Sequence, residues 1–523
     1  MYAAVHGMTV LGLQAHLIRV EVDVANGLPS FEIVGLPNTA VREARDRVRS
    51  AIRNSGYQFP LQRVTVNLAP ADLRKEGSGL DLPIAIGILA ATDQCISSSL
   101  GKYVFSGELS LEGSLRPVLG VLTMAIALDK VNDESVLDEG GRIGEPYCLM
   151  VPSDNLAEAR LVTKLETHSS AALAQVVKGI EMESFEDLIL SSTTQPELYK
   201  EVNVDWADVH GQQHVKRALE IAASGGHNVV LVGPPGSGKT LLAKAYSGIL
   251  PQLSEKESIE VTQLYSVCGL LNCNGSLVQH RPFRSPHHTV TKAGIIGGGR
   301  NLRPGELSFA NHGVLFLDEL PEFSREVLEC LRQPLEDREL TITRQAGSIT
   351  YPAHVSVIAS MNPCPCGYYG DQGRVCHCTP MQIQNYRGRI SGPLLDRFDM
   401  HVEVPRLNYS ELKNKPDNEP SSVVRKRVMA ARQRQWARLG SAKTNAEMTA
   451  KETKEFGKLT PSGESLLEKI FDSQHLSARA HDRILRVART IADLEGSSDI
   501  LPGHLAEAIQ FRALDKRLPA VSF

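Results

Sequence analysis

Gly233-Pro234-Pro235-Gly236-Ser237-Gly238-Lys239-Thr240 decides the reading of this chain. An apolar run, Val229-Val230-Leu231-Val232, leads into it, and helix-prone sequence from Leu241 to Ile249 follows. Strand, glycine-rich loop and helix are the context that a phosphate-binding loop requires. Its glycines let backbone N–H groups turn inward around phosphate oxygens, and the helix N-terminus adds a favourable dipole. In this arrangement Lys239 reaches the β- and γ-phosphates of ATP, and the Thr240 hydroxyl binds Mg²⁺.

Two later segments extend the site. Val314-Leu315-Phe316-Leu317 runs into Asp318-Glu319. A buried strand that delivers two acids at its C-terminal end places them where α/β sheets bind ligands. Asp318 is expected in the Mg²⁺ shell and Glu319 at the attacking water. A third strand, His354 to Ser360, ends in Met361-Asn362, and an amide there can bridge the γ-phosphate and the water. Leu394-Leu395-Asp396-Arg397-Phe398-Asp399 supplies Arg397, a cation able to stabilise charge on a transferred phosphoryl group or to serve in a structural salt bridge.

Outward from this core the chain divides. The 523 residues suffice for two to four domains. Residues 1–165 open with strand-like alternation (Leu17 to Val22), then a helical stretch, Ala40 to Asn54, and a strand, Arg63 to Leu68. Polar sequence marks 166–203 as a linker. Residues 204–408 alternate strands and helices, the pattern of a parallel α/β sheet. Asn414 to Ser422 forms the next boundary, and 421–523 show helical periodicity alone.

The longest apolar run, Leu82 to Ala91, is too short to cross a bilayer, which needs ~20 residues. With no secretory signal, the expected location is cytoplasmic and the nine cysteines reduced. The net charge of −4 hides an asymmetry. Residues 421–523 carry 18 Lys and Arg against 12 Asp and Glu, a net +6 that leaves −10 for the rest. Arg425, Lys426, Arg427, Arg432, Arg434 and Arg438 crowd a stretch with no acid, either a nucleic-acid contact or a solvated helix face.

Four cysteines cluster as Cys364-x-Cys366 and Cys376-x-Cys378 around a glycine-rich loop. Four thiolates so placed suit tetrahedral Zn²⁺, with His377 as a possible substitute for one sulfur. Leu340-Thr341-Ile342-Thr343 and Ser348-Ile349-Thr350-Tyr351 are β-prone runs around Arg344-Gln345-Ala346-Gly347, which reads as a hairpin with Arg344 at or beside its tip.

The chain resembles the ComM/YifB family of Mg-chelatase-like AAA+ proteins along essentially its whole length. The most specific stretches are Arg284-Ser285-Pro286-His287-His288, Ile296-Gly297-Gly298-Gly299, Asn311 to Leu320, and Met361-Asn362-Pro363-Cys364-Pro365-Cys366-Gly367. The resemblance implies a hexameric helicase that drives branch migration on single-stranded and branched DNA during natural transformation. It further implies an AAA+ core with a helix-2 insertion, within about 281–300, and a pre-sensor-1 hairpin insertion, about 340–351. Arg344 would then face phosphates in a ring pore, with Lys292 and Arg300 as further DNA candidates. Arg397 would act on a neighbouring subunit's nucleotide. Arg479 would be the sensor-2 arginine of a C-terminal helical lid, with Arg483 one turn later as the alternative.

The N-terminal region resembles the Lon-protease-like (S5-related) α+β fold, with a departure. Gly79 stands where the catalytic serine aligns, Ser78 is displaced by one residue, and Val118 to Thr123 offers no lysine as the dyad base. Without that pair nucleophilic catalysis is not expected. The competing function is a metal-chelatase-type motor that remodels a protein partner.

Overall fold

The computed structural model describes residues 1–75, 77–96, 98–135, 145–185, 204–271, 276–299, 302–344, 347–371, 373–407, 419–474, 477–512 and 514. It divides into two compact units: Met1–Tyr199 with Glu255–Val278, and Lys200–Ser254 with Gln279–Phe523.

The first unit is built on a seven-stranded mixed sheet. Its founding hairpin pairs Tyr2–Leu11 with Gln14–Ala25 in antiparallel register, from Tyr2 opposite Asp23 to Leu11 opposite Gln14. Residues of opposite character alternate along the second strand. Ile18, Val20, Val22 and Val24 are buried, and Arg19 and Asp23 point outward. That period of two is what a half-buried strand imposes. Against the apolar face packs the helix Asp81–Ala91. Gly87 permits the approach, since a Cβ there would lie 2.7 Å from Val22 Cγ2. The apolar run of the sequence is thus a core helix. No helix among the described residues is long and apolar enough to cross a membrane.

Two expectations about boundaries need correction. Thr167–Ser170 is the edge strand of this sheet, and Leu173–Met182 is a helix whose Leu173, Val176, Val177 and Ile180 are buried. The supposed linker 166–203 is therefore folded through residue 182; its polar stretch lies outside the described residues. Periodicity over ten residues was outweighed, in the sequence, by the polar run after it. The 204–408 segment is also interrupted. The helix Glu255–Val267 folds with the first unit, where Glu158 accepts hydrogen bonds from the Ser266 hydroxyl and from Leu122 N at 2.9 Å.

The second unit contains a five-stranded parallel sheet. Its spatial order is Phe283–Arg284, Val314–Leu317, Ser356–Met361, Val229–Val232, Met400–Glu403. The three inner strands, Val314–Leu317, Ser356–Met361 and Val229–Val232, are buried on both faces, as parallel sheets are, and Phe283–Arg284 at one edge is half-buried. Val229, Leu231, Val314, Phe316 and Ile358 pack on the lid side. Val230, Val232, Leu315, Leu317, Val357 and Ala359 pack on the other. Glu339–Arg344 and Gly347–Pro352 form the expected hairpin, with Arg344 opposite Gly347 as its last pair. Gln345 and Ala346 at the tip, and the Arg344 side chain, lie outside the described residues.

Helices Ser421–Leu439, Ala450–Phe456, Pro461–Gln474, Ala478–Glu495 and Pro502–Gln510 make up the C-terminal helical part expected to be a lid. Most of its basic run is engaged by partners within this unit. Arg425 donates to Gly248 O, Arg427 to Glu220 and Glu419, Arg432 to Ala223 O, Arg434 to Asp493 O, and Arg438 to Asp493. Five of the six cations therefore fasten this helix to its neighbours; Lys426 and Arg434 are both exposed, and Lys426 is outside this set. Charge-assisted bonds of this kind are the stronger ones.

Candidate functional site

The phosphate loop leaves the sheet at Val232 and returns as the helix Lys239–Ile249. Two glycines serve different ends. Gly238, at φ +86°, adopts the left-handed conformation that starts the helix. Gly233 allows close approach, because a Cβ would lie 2.2 Å from Val404 O. The helix has no side-chain cap and no acid in its first turn, so its leading N–H groups face the loop. Helix ends with unmatched donors and a positive dipole receive anions.

Lys239 lies over the loop. Its Nζ donates to Gly233 O at 2.7 Å, to Pro234 O at 3.0 Å and to Asn362 Oδ1 at 3.4 Å. Burial lowers its pKa, opposed by the charges of Asp318 and Glu319. The ammonium is therefore partly desolvated, where a phosphate would be held strongly.

Three adjacent strands deliver the remaining groups. Val232 pairs with Met361, and Leu317 with Ala359, so the loops after them open on one edge. Thr240 Oγ1 donates to Asp318 Oδ2 at 3.0 Å. Ser360 Oγ donates to the other Asp318 oxygen and accepts from Glu319 N at 3.3 Å. Pro235 to Leu241, Asp318, Glu319, Ser360, Met361 and Asn362 enclose a cavity of about 400 Å³. Gly233, Pro234 and the loop Pro235, Gly236, Ser237, Gly238 thus stand with Lys239, Thr240, Asp318, Glu319 and Asn362 at one place.

Glu319 has φ +54°, a left-handed conformation that costs a non-glycine residue on the order of 1–3 kcal/mol. That turn projects its carboxylate where His288 Nδ1 lies 3.5 Å from Oε2. A second cleft, about 680 Å³, shares Glu319 and Asn362 with the first and continues to Cys366, Cys378, Tyr386 and Arg389.

Ser360, His288 and Gln212 were not singled out from sequence. Gln212 Nε2 donates to Ser237 O at 2.7 Å and Pro405 O at 3.2 Å, supporting the loop from behind. Ser360 carried a signal, a hydroxyl within the apolar strand two residues before Asn362. His288 lay inside the quoted Arg284–His288 stretch without an assigned task.

Arg397, Arg479 and Arg483 do not line the cavity of their own chain. Arg397 bonds Glu336 through Nη2 and Pro393 O at 3.1 Å. Arg479 lies 3.8 Å from Asp396, and Arg483 3.4 Å from Asp399. Asp399 also accepts from His227 Nδ1 at 3.1 Å, and His227 Nε2 meets Thr490 Oγ1 at 2.8 Å. Burial alone would raise the Asp399 pKa, yet His227, Arg483 and Arg486 bring it down to about 2. The loop Asp396–Asp399 is thus bound through charge to the lid helix Ala478–Glu495. Lys292 is exposed at the start of a short helix, Lys292–Ile296. Arg300 lies outside the described residues.

The four cysteines meet. Cys364 Sγ is 3.3 Å from Cys366 Sγ and 3.6 Å from Cys376 Sγ, and all four sulfurs, with Cys378, lie within 4.8 Å of one another. Sulfurs on a tetrahedral ion with ~2.3 Å bonds stand about 3.8 Å apart, so the group has the size of one metal site. Tyr369 N donates to Cys364 Sγ at 3.3 Å. His377 is not part of the group. The loop packs against the cavity beside the phosphate loop, for a Cβ on Gly367 would lie 2.7 Å from Pro235 Cδ.

In the first unit the Ser78 hydroxyl donates to Glu108, and Lys75 Nζ donates to Pro70 O. They are not directed to each other.

Family models cover most of the chain. Residues 205–412 match magnesium chelatase, subunit ChlI; residues 20–138 match subunit ChlI of Mg-chelatase; residues 418–512 match the subunit ChlI C-terminal part. Competence protein ComM of Haemophilus influenzae is 44% identical over 531 residues, covering 99% of each chain. The protein YifB of Escherichia coli is 43% identical over 522 residues, covering 98% of this chain and 97% of its own. The magnesium-chelatase 38 kDa subunit of Rhodobacter capsulatus is 24% identical, covering 59% of this chain and 86% of its own.

Proposed function

Because this chain belongs to the ComM/YifB family of magnesium-chelatase-like AAA+ proteins, we propose that it is an ATP-driven DNA motor, a ring-forming branch-migration helicase acting on recombination intermediates. The observation that carries the reading is the convergence of Lys239, Thr240, Asp318, Glu319 and Asn362 on one cavity at the ends of three adjacent parallel strands.

The chemistry follows from their places. Lys239 exchanges its carbonyl partners for phosphate oxygens of ATP. Thr240 Oγ1 and Asp318 Oδ2, 3.0 Å apart, are the pair that would hold Mg²⁺, which neutralises charge on the phosphates when bound. Ser360 fixes the Asp318 carboxylate. Glu319 faces both clefts and takes the proton of the attacking water, while Asn362 positions that water against the γ-phosphate. Arg397 is assigned to a neighbouring subunit's site and Arg479 or Arg483 to the lid's response to nucleotide. A hexamer acting in the cytoplasm is the corresponding assembly. The N-terminal unit is read as non-proteolytic, supported by the separate partners of Ser78 and Lys75.

Full-length similarity to a protein named for competence favours DNA over a chelatase-type protein partner, since the chelatase subunit matches at lower identity over part of the chain. Conversion of a labelled four-way DNA junction tests the reading. ATP-dependent conversion by this chain alone supports it; an inert junction beside active ATP hydrolysis rejects it.

Cys364, Cys366, Cys376 and Cys378 are assigned one structural Zn²⁺. Elemental analysis of purified protein is expected to give one zinc per chain, and a well-folded protein without metal would reject the assignment. Because Gly367 packs on Pro235, chelation is expected to lower ATPase activity as well.

Arg344 closes the hairpin at its last pair. With Lys292 and Arg300 it is assigned to DNA in the ring pore. Arg344→Ala is expected to keep basal ATPase activity and to lose DNA-stimulated turnover and branch migration. Unchanged branch migration would remove Arg344 from the pore.

A further inference from the structure

Most cations of the most basic stretch have partners within the chain, whereas a less conspicuous row lacks acidic ones. The helix Thr39–Asn54 buries Val41, Ala44, Val48, Ala51 and Ile52. Its exposed residues include Arg42, Arg45, Arg49 and Arg53. At about 100° per residue these four fall within an arc of roughly 80°, in a row about 16 Å long. No carboxylate forms an ion pair with any of them among the described residues. Arg47, off this row, is the one that holds Asp81, at 2.6 and 2.9 Å. Asp46 borders the row and Glu43 lies further round, neither of them paired with it.

Helix stability does not account for the row. Arg53 sits in the last turn, where a cation suits the macrodipole. Arg42 stands near the opposite end, where the dipole disfavours it, and no acid occupies the first turn. Nor is packing the reason for most of it. Arg49 lies 5.5 Å from the Phe59 ring centre, and Arg45 Nε reaches only Arg42 O at 3.1 Å. Exposed guanidinium groups without acids are matched by a polyanion. A row of 16 Å runs beside about five phosphates of one strand of a duplex, at 3.4 Å of helix axis each.

We propose that Arg42, Arg45, Arg49 and Arg53 form a phosphate-binding face by which the N-terminal unit holds a DNA strand. The inference rests on the DNA-motor reading for the identity of the polymer. Its contacts are to backbone, so it binds without regard to sequence.

The test is a salt titration of the full chain's affinity for a fluorescent single-stranded oligonucleotide, followed by anisotropy. Each lost phosphate contact removes about 0.7 from the slope of log affinity against log salt. The combined variant Arg42→Gln, Arg45→Gln, Arg49→Gln, Arg53→Gln is expected to flatten that slope by about 3, with basal ATPase unchanged. Since Arg49 touches Phe59, the pair Arg42→Gln, Arg45→Gln serves should the fourfold variant fold poorly, with an expected change of about 1.4. The matching lysine variants should keep the wild-type slope. An unchanged slope in a glutamine variant, beside a wild type that binds DNA, overturns the arginine face alone. A wild type that binds no DNA overturns the motor reading and the face together. Loss of binding to phosphatidylserine vesicles with DNA binding intact assigns the row to a membrane surface and overturns the proposal.

Discussion

Glu319→Gln is expected to bind ATP as the wild type does and to turn it over about 10²–10⁴-fold more slowly, the usual worth of a positioned general base. The substitution keeps size and hydrogen-bonding capacity but removes the proton acceptor. Lys239, Thr240 and Asp318 remain in place, because their bonds run through the loop carbonyls and Ser360 rather than through the Glu319 side chain. The strained turn at Glu319 is a property of the backbone and survives as well. Equilibrium binding of a fluorescent nucleotide and single-turnover hydrolysis separate the two effects. Hydrolysis near the wild-type rate would show that another group takes the proton, and loss of nucleotide binding would show that Glu319 has a structural task.

Arg397→Ala should produce a loss of comparable or greater size, ~10³–10⁵-fold where an arginine stabilises phosphoryl transfer. Its behaviour in mixtures distinguishes the two explanations of this residue. The guanidinium bonds Glu336 and Pro393 O within its own chain and lies outside its own nucleotide cavity. If its task were only that salt bridge, Glu336→Ala would cost as much as Arg397→Ala. The account instead expects Glu336→Ala to stay within several-fold of wild type, since the Glu336 carboxylate is solvent-exposed and a pair screened in this way contributes ~1 kcal/mol or less. Titrating Arg397→Ala protein into wild type should depress turnover faster than the mutant fraction rises, because each altered subunit disables a neighbour's intact site. Strict proportionality would confine Arg397 to its own chain.

The convergence of the candidate nucleotide-site residues was legible because each motif is local. A phosphate loop, an acidic strand end and an asparagine each occupy a few consecutive residues, and an apolar strand before each motif announces its geometry. The parallel sheet then brings the three ends together, as Val232 beside Met361 and Leu317 beside Ala359 record. What the sequence concealed depends on contacts distant along the chain. The six cations from Arg425 to Arg438 look alike in sequence. Only the fold reveals that Arg432 reaches Ala223 O and Arg438 reaches Asp493. The Arg42–Arg53 row, diluted by Glu43 and Asp46, gave no such charge run. His288 and Gln212 escaped for the same reason, since their partners, Glu319 and the Ser237 carbonyl oxygen, lie 31 and 25 residues away. The strand Thr167–Ser170 is short and polar, and only its parallel pairing with Cys148–Pro152 makes it a strand.

The central claim, that hydrolysis at the Lys239–Glu319 site drives movement on DNA, is met most directly by one rate measurement. Steady-state ATP hydrolysis by the wild-type chain is compared with and without single-stranded DNA, with no other protein present. The account predicts that DNA raises the rate and that Glu319→Gln abolishes both the basal and the stimulated activity. A rate indifferent to DNA that rises only when a protein partner is added would contradict it, and would assign this motor to remodelling protein.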